Sequence, residues 1–243
     1  MQARQTVLKG TILFLLFTAL SLPSVAQMVV QGGELQQKLA ALKQSVAANQ
    51  QKLHKYQWVE TQQLTLKGDA KPPKQNLCSY GANGQVQKVP IGQPPAQQQQ
   101  SGRQRRLKEH VVEKKTEEMQ DYMSQVKTIL ALYVPPDPQR MQKAFQAGNA
   151  SLVPGGGGVA QLVFKNYAQP GDQMTVSFDT AAKKVQKVDV NTYLDGPKDV
   201  VTLALQFASL PDGTNYVQQS ALNATAKQLQ LTTTNSQYSK LSR

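Results

Sequence analysis

The sequence predicts an α+β protein in which a run of antiparallel strands packs against helices. Three observations predict it. From Val159 to Tyr238 apolar and polar residues alternate with a period of two, the pattern of half-buried strands. Two segments upstream carry apolar residues at three- and four-residue steps, the pattern of amphipathic helices. The gaps between strands are short and built of turn residues. They join antiparallel neighbours, because a parallel crossover needs about a dozen residues or more.

From the N-terminus, 1–26 reads as a secretory leader. Arg4 and Lys9 form a positive start, Thr11–Leu22 an apolar middle, and Pro23 breaks it. Small residues at Ser24 and Ala26 place cleavage after Ala26, with export to the periplasm or beyond. The remainder, 27–243, is expected to form a single domain. Leu35, Leu39, Leu42, Val46, Leu53 and Tyr56 mark a helix over Glu34–Tyr56, and Trp58–Leu66 looks like the first strand. Asn76–Tyr80 and Gln85–Val89 flank Asn83-Gly84, a short hairpin signal.

The stretch 92–106 holds a double proline, four consecutive glutamines and three arginines. It lacks the apolar residues to fold alone and is expected to be a mobile linker. Arg103, Arg105, Arg106 and Lys108 form a basic cluster suited to an anionic surface. A helical insertion follows over 107–148. Leu107, Val111, Met119, Tyr122, Val126, Ile129, Leu130 and Tyr133 share one face of its long first helix, which Pro135-Pro136 ends. Asp137 then caps a short helix with Pro138 at its first position. The four-glycine run Gly155–Gly158 is read as a flexible connection from helices to sheet. No Lys-Ser or Lys-Thr follows, as a phosphate loop would require.

The meander itself is expected to have roughly six strands and one wet face. Met174, Val176 and Phe178 share one side of Gln173–Asp179. Val188 and Val190 continue the pattern, as do Val201, Leu203, Leu205 and Phe207, then Leu229 and Leu231. Gly171, Gly196 and Gly213 sit in the proline-bearing turns between them.

Chemistry is sparse. Two histidines and one cysteine supply neither a metal signature nor a disulfide framework, and Cys78 is expected to be buried. No nucleophile–base motif stands out, so the protein is read as a non-enzyme without cofactors. The formal net charge of +12 favours anionic partners such as a membrane surface. Nucleic acid is not expected, because no aromatic residues interleave with the basic cluster.

Two segments carry a resemblance. Met174–Asp179, the turn Thr180–Lys184 and Val185–Leu194 resemble the paired strands around an Asp-containing turn in the LolA-like family of periplasmic lipoprotein carriers. Phe207–Tyr216 resembles that family's strand, Asp-Gly and aromatic hairpin. The likeness covers about a third of the chain. Val217 follows Tyr216 where such proteins commonly have proline, and the glutamine-rich linker and glycine run depart from the pattern. The resemblance implies a curved antiparallel sheet, an open half-barrel covered by helices. It also implies a carrier or binder of lipid or acylated protein. Trp58, Met119, Met123, Met141, Phe145, Met174, Phe178 and Phe207 are the apolar residues expected to line the ligand site. The alternative is a periplasmic sensor or envelope scaffold with a filled core, acting through protein or polyanion contacts.

Overall fold

A computed structural model describes residues 25–92 and 105–241. Helix α1 (Val25–Leu53) leads into β1 (Tyr56–Leu66) and the two-residue β2 (Asp69–Ala70). Strands β3 (Lys74–Tyr80) and β4 (Val86–Ile91) form a hairpin. Helices α2 (Arg105–Leu130) and α3 (Pro138–Gln146) follow. Then come β5 (Ala150–Pro154), β6 (Val159–Lys165), β7 (Gln173–Asp179), β8 (Lys184–Tyr193), β9 (Val200–Ser209), β10 (Asn215–Ala224) and β11 (Leu229–Lys240). All pair antiparallel in one open sheet ordered β4-β3-β1-β11-β10-β9-β8-β7-β6-β5, with β2 against β1. The last strand thus closes onto the first, so the meander and the N-terminal hairpin share one sheet.

Register explains the two faces. One row runs across eight strands through Leu64, Leu231, Leu222, Leu203, Val190, Met174, Phe164 and Ala150, all apolar. The neighbouring row on the opposite face runs through Thr65, Gln230, Asn223, Thr202, Asn191 and Gln173, all polar. Successive side chains point to opposite faces, so this alternation sends one face to the helices and the other to water.

Three bulges bend the sheet. Gln186 in β8, Gln218 in β10 and Gln237 in β11 each have no opposite number on the neighbouring strand. Gln237 takes φ 53°, the left-handed region. An extra residue tightens local twist and reverses the alternation beyond it. Hence Leu229, Leu231 and Asn235 share a face with Tyr238 and Lys240, which even spacing would place opposite.

The helices cross the apolar face at its two rims. At one rim Ser45 of α1 donates to the Lys183 carbonyl at 2.6 Å, in the turn between β7 and β8. Asn49 donates to the Asn215 carbonyl and accepts from its N–H, both at 2.6 Å. At the other rim the Tyr122 hydroxyl of α2 donates to Asp199 at 2.9 Å, in the turn between β8 and β9. Helix α3 starts as its sequence dictates: Asp137 accepts from the Gln139 N–H at 2.8 Å, with Pro138 at the first position.

Two expectations change. Helix α1 begins at Val25, well before Glu34, and stops at Leu53, so Tyr56 belongs to β1. The expected leader otherwise lies outside the described residues. The glycine run is the tip of the β5–β6 hairpin and not a connection from helices to sheet. The Gly155 N–H donates to the Val159 carbonyl at 2.8 Å, and Gly156, Gly157 and Gly158 take φ of 76°, 57° and 81°. Three successive left-handed residues are tolerable only as glycine. Among the described residues no helix is long and apolar enough to cross a membrane.

Candidate functional site

The apolar face divides into a sealed part and an open part. Over β6, β7 and β8, Leu162, Phe164, Met174, Val176, Phe178 and Val190 are all at most 2% exposed. Val126, Tyr133, Met141 and Ala144 from the α2–α3 segment belong to the same core. Across β11 and β1 the cover thins. Leu231, Leu64 and Leu66 pack against the core but stay half-buried. Beside them a second row, apolar at Leu152, Leu162, Val176, Val188 and Leu205, turns polar at Ser220, Thr233 and Gln62. These three are also half-buried. The open end thus offers an apolar track beside a track of hydroxyl and amide groups.

The sealed part is pinned by a buried polar cluster. The Tyr133 hydroxyl donates to Asp172 and meets the Thr192 hydroxyl at 2.8 Å. Asp172 also accepts from the backbone N–H groups of Tyr167, Ala168 and Gln169. Gln169 donates to Thr192 and to the Tyr193 carbonyl. Burial holds the Tyr133 phenol well above its ordinary value, and the bond to Asp172 adds to this. Burial pushes Tyr167 up to about 12. With its acceptors filled, this carboxylate ties the α2–α3 connection to the β6–β7 turn.

A second polar cluster lies on β1. Glu60 is 7% exposed and accepts from Lys88 at 2.7 Å, Gln62 at 2.9 Å and Asn76 at 3.3 Å. Trp58 donates to Asn235 at 3.1 Å, and Asn235 donates to the Val217 carbonyl at 2.8 Å, next to the bulge in β10. The Trp58 ring stacks on Tyr238 with centroids 5.5 Å apart and tilts against Tyr80 at 5.4 Å. Tyr216 meets Tyr238 at 4.4 Å, and His54 stacks on Tyr80 at 4.5 Å. Cys78 is fully buried beside Trp58, and burial raises its thiol.

The eight expected lining residues therefore divide. Met141, Met174 and Phe178 are interior to the sealed core, while Met119, Met123, Phe145 and Phe207 are half-buried against it. Trp58 stands apart in the aromatic cluster on β1. Of the basic cluster, Arg103 lies outside the described residues. Arg105, Arg106 and Lys108 are on the first turns of α2, and their side chains also lie outside them.

Sequence reasoning placed neither Leu64 nor Ser220 and Thr233 at a site. The alternation of Leu64 and Leu66 was visible, but not that β11 would lie beside them. Two depressions lie at the rims. One of about 570 Å³ is bordered by Lys184, Gln186, Phe207 and Asn215. Another of about 430 Å³ is bordered by Asp137, Arg140, Lys143 and Tyr167. Among the described residues no group of three or more His, Cys, Asp or Glu could hold a metal ion.

No family model matches the chain, and no curated protein matches it. Among solved structures, a DUF1329 family protein from Desulfovibrio piger ATCC 29098 is similar at 9% identity and a TM-score of 0.36. The match covers 84% of this chain and 94% of that one.

Proposed function

We propose that this chain is an exported, non-catalytic carrier or binder of lipid or lipidated protein, built as a half-barrel that holds an acyl chain on its helix-lined face. One observation carries the reading: the apolar row across the sheet is sealed at Phe164 and Met174 but half-open at Leu231 and Leu64. There the polar groups of Ser220, Thr233 and Gln62 run beside it. An amphiphile has the same two-sided character. Each methylene withdrawn from water contributes about 0.8 kcal/mol, so a track a few residues long suffices for reversible binding. Half-buried Met119 and Met123 flank Tyr122 on α2. They supply the adaptable apolar surface that a chain of variable length needs. Native mass spectrometry of protein purified from the periplasm, with uptake of a fluorescent fatty acid, tests the proposal. A co-purifying lipid or saturable uptake is expected. Absence of both sinks it.

A second reading is supported by the closed packing over β6–β8. A filled core suits a periplasmic sensor or envelope scaffold that acts through its surfaces. That reading predicts no saturable uptake and no stabilisation by added lipid.

A further inference from the structure

The corner of the sheet where β4, β3, β1 and β11 end carries a surface that the acyl-chain reading does not use. Tyr80 pairs with Val86, and Tyr56 pairs with Lys240. Gln57 pairs with Ser79, which brings Tyr80 alongside Tyr56. One row at the rim is therefore Val86, Tyr80, Tyr56 and Lys240. Just beyond it Leu241 donates its N–H to the Lys55 carbonyl at 2.9 Å, and Lys55 donates its own to Lys52 at the end of α1. Three lysines, Lys52, Lys55 and Lys240, thus gather at one corner, all exposed. Among the described residues none of them forms an ion pair. Lys240 lies 6.0 Å from the Tyr56 ring centroid. The neighbouring carboxylate, Asp212, accepts from the Tyr56 hydroxyl at 2.6 Å and the Thr214 N–H at 3.0 Å; these bonds, with a smaller contribution from the Lys240 charge, hold it well below the usual carboxylate range, so Lys52 and Lys55 are left to face outward.

The same corner is amphipathic. Val86 is 41% exposed and Leu241 37%. Tyr80 and Tyr238 are half-buried, and among the described residues their hydroxyls have no hydrogen-bond partner. Burial raises both phenols, so these rings lie partly sunk behind the rim, and half-buried tyrosines next to lysines and small exposed apolar residues match the chemistry of a bilayer's headgroup layer. The free edge of β4 is less suited to recruiting a strand from another chain. Pro90 has no N–H to give, and Lys88 is drawn to Glu60.

We infer that this corner, formed by Lys52, Lys55, Lys240, Tyr80, Tyr238, Val86 and Leu241, is a docking surface for an anionic lipid bilayer. The lysines meet the lipid phosphates, and Val86, Leu241 and the tyrosine edges enter the headgroup layer. This goes beyond the acyl-chain reading and does not rest on it. It places an anionic contact on the folded sheet, apart from the one expected at the arginines of 103–106.

Trp58, the sole tryptophan, stacks on Tyr238 at this corner and reports on it. The experiment is co-sedimentation with vesicles of phosphatidylglycerol or of phosphatidylcholine at low salt, with Trp58 emission read in parallel. The wild type should bind the anionic vesicles and change its emission. The variant K52Q/K55Q/K240Q should bind them roughly a hundredfold more weakly, since each basic residue at an anionic surface contributes severalfold. K55Q alone should lose severalfold, which keeps the test open should the triple variant fail to fold. R103Q/R105Q/R106Q and a dispersed control, K71Q/K165Q/K198Q, should bind close to wild type and clearly better than K55Q. Equal binding to both vesicle types overturns the inference. So does an equal loss in the dispersed control, or a loss confined to the arginine variant.

Discussion

Two regions of one sheet are built from the same row of residues and come to different ends. Over β6, β7 and β8 the row meets helices α2 and α3 and is sealed, with Phe164 and Met174 fully buried. Over β11 and β1 the same row continues as Leu231 and Leu64, and there it is only half covered. The difference lies in what sits above the strands. The α2–α3 segment is locked down at the first region by Tyr133, whose hydroxyl reaches Asp172 and Thr192. At the second region, polar Ser220, Thr233 and Gln62 replace the aliphatic neighbours and remove the incentive for close apolar packing. One strand pattern therefore serves as core at one end and as accessible surface at the other.

The largest expected effect separates the two ends by stability. Phe164→Ala should cost about 3–5 kcal/mol, because it opens a cavity in a region that cannot collapse. Leu64→Ala should cost about 1 kcal/mol, since a half-buried side chain surrenders less apolar area. Urea unfolding of both variants measures the gap. Equal losses would show that the open end is packed like the core.

A smaller effect separates them by pH. Burial raises the Tyr133 phenol, and Tyr167 to about 12, against an unfolded value near 10. A group whose folded value is raised contributes stability that is complete below the unfolded value and is lost as pH rises through the folded one. The sealed region should therefore hold to about pH 10 and fail above it, with these tyrosines ionising as it unfolds. Tyrosine absorbance at 295 nm followed from pH 8 to 13, with circular dichroism, checks this. Smooth ionisation near pH 10 without loss of structure would contradict the sealed geometry.

The sealed region was the more legible in sequence. Met174, Val176 and Phe178 announce a strand by alternation alone, and Asp137-Pro138 announces the start of α3. The open end depends on long-range pairing. Leu64 and Leu231 meet only because the last strand lies against the first, which no local pattern encodes. The aromatic corner was hidden for a further reason. Tyr238 joins Trp58 because Gln237 is inserted as a bulge, and a glutamine in an otherwise regular strand gives no sign of that role. The short β5 was missed because Pro154 and the glycines after it read as a linker, although those glycines form its turn.

The half-open track over β11 and β1 is proposed to receive an acyl chain. The most direct measurement is uptake of a polyene fatty acid that quenches Trp58, compared between wild type and two charge insertions. Leu231→Lys places a cation in the track. Val163→Lys places one on the opposite, solvent-facing side of the sheet, since Val163 pairs with Thr175 and alternates with Leu162 and Phe164. Saturable quenching is expected in the wild type, with at least tenfold weaker uptake in Leu231→Lys and uptake close to wild type in Val163→Lys. Undiminished uptake in Leu231→Lys, with the fold intact, would contradict the proposal.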